Sequence, residues 1–234
     1  MNKILSLTRR CVEDYDMIRP GDRIAVGVSG GKDSLAALYA MHELSKFHPK
    51  KFSIIALTLS MGFEGVDYTP IAELCREMGV EYHGKNSHLA EILFDIRKEK
   101  NPCSLCAKMR RGMLNDLALE HGCKKVVLGH HFDDAAETFL LSLTYEGRIY
   151  CFQPVTYLSR MDITQIRPLI YVYENDIINF ASRHNIPIVE NPCPANGRTK
   201  RQDMKELLVD LKKYNPKIKE YIVGALKRAN ISGW

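Results

Sequence analysis

No stretch of this 234-residue sequence is apolar for long enough to cross a bilayer. The first ten residues, Met1 to Arg10, lack the extended apolar segment and the small-residue cleavage site of a secretory signal. Low-complexity linkers and internal repeats are missing too; the one echo is the tripeptide Asn-Pro-Cys at 101–103 and 191–193. These absences exclude membrane-spanning, secreted and solenoid readings and predict a cytoplasmic protein. Cysteine is not scarce, at seven residues, but the number is odd and structural disulfides are disfavoured in a reducing compartment. Cys11, Cys75, Cys123 and Cys151 lie in apolar patterns that read as core. Cys103, Cys106 and Cys193 do not, and lean toward metal or redox chemistry.

A hydrophobic fraction of 45% and a charged fraction of 26% describe an ordinary globular chain, long enough to bury a core. The net charge of +5 is unevenly spread. Residues 97–111 carry six Lys/Arg against one acid, and residues 196–230 carry ten against four, so the remainder is acidic. The two basic blocks flank the unexplained cysteines. That arrangement suits either a polyanion approaching this side or plain solvated helix faces.

Short β-type runs alternate with helical periodicity. Strands are predicted at 23–28, 52–59, 80–83, 125–129 and 186–189, with helices over 71–78, 88–96, 135–143 and 175–184 and after the 29–34 turn. Such alternation predicts an α/β fold, a parallel sheet with helices on both faces. The predicted organisation is a helical lead-in over 1–20, one domain over 21–195, and a basic helical appendage over 196–234, broken at Asn215-Pro216.

Gly27-Val-Ser-Gly-Gly-Lys-Asp-Ser34 follows the first strand and opens a helix. Glycines let the backbone approach phosphate oxygens, and a helix N-terminus offers unpaired N–H groups. Lys32 adds a positive charge, and Ser29 and Ser34 add hydroxyl donors. Asp33 would repel phosphate, so its natural work is to hold a bridging magnesium ion. The loop is not a Walker A motif, because Val26 and Asp33 stand where Gly and Ser/Thr are required, and its glycines do not fit the dinucleotide fingerprint.

Cys103 and Cys106 are spaced to grip one centre, with Lys108, Arg110 and Arg111 following on a helix that would favour thiolates. With Cys193 they make three ligands, which suits an iron–sulfur cluster with one open iron or a zinc ion completed by histidine or water. His130, His131, Asp133 and Asp134 end a strand on the presumed ligand edge. Either carboxylate could complete magnesium coordination or act on a substrate proton, and one of them could instead cap the next helix, Asp134 with Glu137 as partner. Arg167, before Pro168, is placed to contact phosphate or to pair with an acid.

Ser29-Gly-Gly-Lys-Asp-Ser34 resembles the signature of the PP-loop (N-type) ATP pyrophosphatase family. Leu128-Gly-His-His-Phe-Asp-Asp-Ala-Ala-Glu-Thr138 and Ile166-Arg-Pro-Leu169 are similar to the second and third signatures of its tRNA-modifying branch. Cys103-Ser-Leu-Cys106, the basic helix after it and a late single cysteine are similar to the tRNA 2-thiocytidine synthase group. Where that group often carries a second CxxC, the first position here is Glu190.

The resemblance implies a Rossmann-like fold of the adenine nucleotide alpha hydrolase type. It also implies adenylation by ATP of the C2 oxygen of a tRNA pyrimidine, followed by sulfur transfer. Ser29, Gly30, Gly31, Lys32, Asp33, Ser34, Gly129, His130 and Arg167 would bind nucleotide. Lys32, Asp33, Asp133, Asp134 and Arg110 would act in catalysis, Arg110 standing where 2-thiouridine relatives place a lysine. Cys103, Cys106 and Cys193 would hold a 4Fe-4S cluster. Implied cofactors and partners are ATP, Mg2+, tRNA, a sulfur donor (cysteine desulfurase or free sulfide) and a second copy in a homodimer. Competing expectations are sulfur transfer or desulfurisation on a free nucleobase or small metabolite, and a non-catalytic nucleotide- and metal-sensing module.

Overall fold

Strand β1 (Arg23–Gly27) has Ile24, Ala25 and Val26 fully buried. A strand with no exposed face must lie mid-sheet with helices above and below. It pairs in parallel with β2 (Ser53–Leu59) on one side and β4 (Lys125–Val127) on the other. In a computed structural model that describes residues 2–98, 102–190, 192–194 and 199–234, six strands form one sheet. Strand β3 (Glu81–Lys85) flanks β2, and β6 (Ile163–Ile166) and β5 (Val155–Leu158) continue beyond β4, in the order β3-β2-β1-β4-β6-β5.

Chain order reverses between β1 and β4, so the crevice beyond their carboxyl ends is where such sheets bind ligands. The expected parallel sheet is confirmed with one qualification: β5 runs antiparallel to β6 as a hairpin at the edge. The alternation signal is weak there, because β5 is only partly covered and leaves Tyr157 exposed.

One face of the sheet packs against α1 (Asn2–Asp14), α2 (Lys32–Phe47) and α6 (Glu174–Arg183). Ala36, Ala37 and Ala40 let α2 lie close to the strands. The other face holds α4 (Pro102–Glu120) through Leu117 and Ala118 against Ile55, Leu57 and Val126. Helix α3 (Thr69–Met78) ends at Gly79, whose φ of 68° suits a left-handed cap. The segment read as a helix over 88–96 winds as a π-helical turn, Glu91–Ile96.

Helix α5 (Phe132–Tyr145) carries α7 (Lys200–Tyr214) and α8 (Ile218–Arg228) through Ala136, Leu140, Met204, Leu208 and Ile222. The expected division between residues 195 and 196 lies outside the described residues. The strand expected at 186–189 does not form: Pro187 withholds a donor, and Val189 N–H instead donates to Gly30 O at 3.0 Å. That bond pins the segment leading toward Cys193 onto the phosphate loop.

Candidate active site

The turn after β1 is organised before any ligand arrives. Ser34 Oγ accepts from Ser29 N–H at 3.1 Å, lies 3.2 Å from Ser29 Oγ, and donates to Gly31 O at 2.8 Å. Gly30 has a φ of +86°, and a Cβ there would sit 2.8 Å from Val189 Cβ. The N-cap of α2 is Gly31, which has no side chain to occupy the first-turn N–H groups and leaves them available to an anion. Lys32 Nζ reaches Asp33 at 3.0 Å and Glu174 Oε1 at 3.2 Å. Burial works against its charge, but the two carboxylates outweigh it and its pKa stands above the ordinary value.

The second signature lies across the crevice. Gly129 is required there, because a Cβ would meet the backbone of Asp33 and Ser34 at 3.0 Å. His131 caps α5: its Nδ1 accepts from Asp134 N–H at 3.4 Å, while Asp134 Oδ2 accepts from His131 N–H at 2.9 Å. The cap expected from an aspartate with Glu137 is therefore supplied by histidine, and Asp134 is the third-residue partner. His131 Nε2 lies 3.7 Å from Asp33 Oδ1 and 3.5 Å from Asp134 Oδ2, so one imidazole stands between the two carboxylates. Burial drives the His130 pKa down to about 3, which keeps that ring neutral against Phe152.

Asp133 and Asp134 separate cleanly. Asp133 is buried, accepts from Glu174 N–H at 2.7 Å and pairs with Lys219. Asp134 lines two of the site's cavities and lies within 3.5 Å of His131 and Arg201. Arg167 is also turned inward: it donates to Gln153 O at 2.6 Å and Thr156 Oγ1 at 3.0 Å and lies over Phe152, and among the described residues it meets neither the phosphate loop nor an acid. Burial, with Arg111 nearby, lowers its pKa to about 10.

Three cavities meet at Asp33. One of about 290 Å³ runs from Gly27 past Leu57 and Leu128 to Gly129, His130 and Asp134. A second of about 340 Å³ is bounded by Met61, Phe63, Tyr68, Val189 and Pro192, and shares Arg110 with the first. A third of about 370 Å³ opens toward α7 and shares Asp134 with the first.

Cys193 follows Pro192 in the wall of the second cavity, and Cys106 lies one turn before Arg110 on α4. Cys103 and Cys106 occupy the first turn of α4 after Pro102, the former exposed and the latter half-buried. Cys106 feels both Cys103 and Cys193, so the fold brings the three into one electrostatic neighbourhood. Burial raises the Cys106 pKa and Arg110 opposes the rise, so the expected thiolate-favouring setting is only partly realised. Among the described residues, the metal-capable trio within 4.8 Å of one another is Glu81, His83 and His121, on the far edge of the sheet; the three thiols are more widely spread.

Sequence reasoning missed Glu174, Arg201 and Lys205. Glu174 opens α6 and binds Lys205 at 2.8 Å as well as Lys32. Although burial opposes it, those two cations hold its carboxyl down to about 2. Arg201 lies 3.4 Å from Asp134 and 3.5 Å from Glu137. For Arg201 and Lys205 the available signal is the basic block from residue 196, which suits a polyanion or a solvated helix face and names no partner within the chain.

A family model described as a PP-loop domain matches residues 4–211. The chain belongs to the PP-loop family. Its fold is the Rossmann-like α/β fold of adenine nucleotide alpha hydrolases. Among curated PP-loop relatives, the tRNA-cytidine(32) 2-sulfurtransferase of Geobacter sulfurreducens is 40% identical over 230 residues, spanning 96% of this chain and 88% of that protein. The protein of the same name from Geobacter metallireducens is 40% identical over 231 residues, with the same coverage. Among solved structures, the U34-tRNA thiolase NcsA from Methanococcus maripaludis, which contains a [4Fe-4S] cluster, superposes with a TM-score of 0.79 at 26% identity, covering 96% of this chain and 77% of that one. No helix among the described residues is long and apolar enough to cross a membrane.

Proposed function

We propose that this chain is an ATP-dependent tRNA sulfurtransferase that converts a cytidine, at position 32 by similarity to its relatives, into 2-thiocytidine. The observation that carries the reading is the meeting of three cavities at Asp33, with the phosphate loop between them and Cys193 following Pro192 in the wall of the second. The cavity lined by Leu57, Leu128, Gly129 and His130 receives the adenosine of ATP. Ser29, Gly30, Gly31, Lys32 and Ser34 hold its phosphates at the open end of α2. Asp33 and Asp134, flanking His131, form the carboxylate pair a magnesium ion requires. In this reading Asp134 takes that role, since Asp133 is already engaged with Glu174 N–H and Lys219.

The target base enters the second cavity, where Phe63 and Tyr68 offer faces for stacking. Arg110 lines both cavities and supplies positive charge where the α-phosphate and the base oxygen meet. The C2 oxygen attacks the α-phosphorus, the bond to the bridging oxygen breaks, and its electron pair leaves with pyrophosphate. Sulfur then bonds to C2 and AMP departs with the former oxygen. Arg167 acts from behind, bracing Phe152 under His130.

The donor set fits an iron–sulfur cluster: three cysteine thiols, Cys103, Cys106 and Cys193, share one electrostatic neighbourhood and would place a cysteine on each of three irons of a four-iron cluster. When bound, a 4Fe-4S cluster supplies an open iron at which sulfide is delivered. The partners of this reading are tRNA and a sulfur donor, cysteine desulfurase or free sulfide, in the cytoplasm; a homodimer rests on family likeness alone.

The test is nucleoside mass spectrometry of an unmodified tRNA transcript incubated anaerobically with the iron- and sulfide-loaded protein, ATP and Mg2+. 2-Thiocytidine should appear and depend on ATP. Unchanged tRNA beside a thiolated free nucleobase would contradict the reading and favour a small-molecule acceptor.

A further inference from the structure

Two histidines and a glutamate meet on the edge of the sheet, away from the nucleotide crevice, and the adenylation chemistry uses none of them. Glu81 and His83 stand two residues apart on the edge strand β3, so their side chains leave the same face. Their register partners on β2 are Ile55 and Leu57, which pack against α4. His121 follows the last residue of that helix. One ligand atom from each of the three lies within 4.8 Å of the other two. The His83 and His121 rings are stacked, with centroids 3.6 Å apart and planes 20° from parallel.

Three elements hold this trio in place. Helix α4 closes just beyond His121, where Gly122 has a φ of 71° and Cys123 N–H donates to Ala118 O at 2.8 Å. The His121 carbonyl accepts from Arg23 Nε at 3.2 Å, and the same guanidinium donates to Glu81 Oε2 at 2.7 Å. Arg23 thereby ties the start of β1 to β3 and to the end of α4. Glu81 keeps Oε1 for His83, whose Nε2–H donates to it at 2.8 Å. The hydrogen bonds from His83 and Arg23 hold the Glu81 carboxyl below its ordinary range, so it is an anion at neutral pH. Lys85, two residues beyond His83, is paired with Glu120 at 2.7 Å.

We infer that Glu81, His83 and His121 form a zinc-binding site, a clamp that joins the edge strand to the carboxyl end of α4 and leaves a fourth position to water. Two imidazole nitrogens and one carboxylate oxygen are a set that zinc takes with one position open. Imidazole selects zinc and its neighbours over Mg2+ and Ca2+, which prefer oxygen. Zn–N and Zn–O bonds of about 2.1 Å bring ligand atoms to roughly 3.4 Å from one another. Glu81 is exposed and both rings are half-buried, so rotations about their side-chain bonds close the gap and open the stack. The His83 proton passes from Nε2 to Nδ1, and both rings coordinate as neutral imidazoles. Cys123 stays outside the set: it is fully buried, and burial raises its thiol pKa against the opposing pull of Arg23. Roughly 22 Å of helix separates His121 from Cys106, so zinc held here is distinct from any metal on the cysteines.

The test removes the competing thiols and counts zinc. The Cys103→Ser/Cys106→Ser/Cys193→Ser variant, titrated with Zn2+ against a chromophoric chelator, should bind one equivalent and gain thermal stability from it. Adding His83→Ala or His121→Ala should weaken zinc at least 10- to 100-fold, since loss of a mere supporting hydrogen bond costs about that much, and should leave the zinc-free thermal midpoint unchanged. Co2+ in place of zinc reads the ligands with both histidines intact: the triple-serine variant should show weak visible bands and no near-ultraviolet sulfur-to-cobalt absorption. No zinc bound by the triple-serine variant, equal affinity after loss of either histidine, or a sulfur-to-cobalt band overturns the site. His121→Ala in the otherwise unaltered protein should keep its iron content, ATP affinity and thiolation rate. Loss of iron in that variant overturns the separation of this site from the cysteines.

Discussion

The two edges of the sheet hold similar residues in different arrangements. The N-terminal edge has the larger hollow, about 730 Å³, with several Lys, Arg and Asp around it. There the lysines are matched one to one: Lys125 with Asp22, Lys124 with Asp162 and, just beside the hollow, Lys50 with Asp16, all at 2.5 Å. At the C-terminal edge the nucleotide cavity is less than half that volume, and partners are shared: Lys32 between Asp33 and Glu174, Arg201 between Asp134 and Glu137, His131 between Asp33 and Asp134. Matched pairs have nothing left to offer a ligand. Shared, loosely held charges beside an open helix N-terminus do. Room alone does not make a site; unspent charge at a strand's carboxyl end does.

Three substitutions probe this contrast, from strong to weak. Cys106→Ala removes the half-buried thiol that links Cys103 to Cys193. Thiolation should fall by ~10³-fold or more, iron content should drop, and calorimetric ATP affinity should stay, because the phosphate loop is untouched. Gly129→Ala forces a Cβ to within 3.0 Å of Asp33 and Ser34, separating the loop from the second signature. We expect KM for ATP to rise about tenfold, with a stability loss of about 1–3 kcal/mol in denaturant titration. Lys125→Met breaks a matched pair at the other edge, where Lys125 also donates to Met17 O at 3.0 Å. Stability should fall by about 1 kcal/mol while the thiolation rate stays within roughly twofold. A large rate loss there would erase the distinction between the edges.

Much of this was legible in the sequence because local chemistry dictated it. The alternating apolar runs placed β1, β2 and β4, and a Gly-Gly-Lys-Asp turn between a buried strand and a helix has few uses besides phosphate. Type and spacing single out Cys103 and Cys106, but only the fold brings Cys193 into their neighbourhood. What was hidden depends on long-range contact. His131 rather than an aspartate caps α5, because β4 ends close to α2 and turns that imidazole toward Asp33. Asp133 and Asp134 are adjacent and chemically alike, and only the arrival of α6 and α8 turns one inward. Arg201 lies 67 residues from Asp134, and nothing in its neighbourhood in sequence announces the pairing. The 186–189 run looked like a strand until the phosphate loop took its hydrogen bond.

In the proposed reaction the Asp33 junction couples ATP cleavage between its α- and β-phosphates to modification of a base. The direct measurement is single-turnover release of labelled pyrophosphate from ATP in the presence of unmodified tRNA, with 2-thiocytidine followed in the same samples. The wild type should yield stoichiometric pyrophosphate and AMP per thiolated base, and Lys32→Ala and Asp33→Ala should lose both products by ~10²-fold or more. Thiolation by Asp33→Ala at the wild-type rate, or release of ADP and phosphate in place of AMP and pyrophosphate, would contradict it.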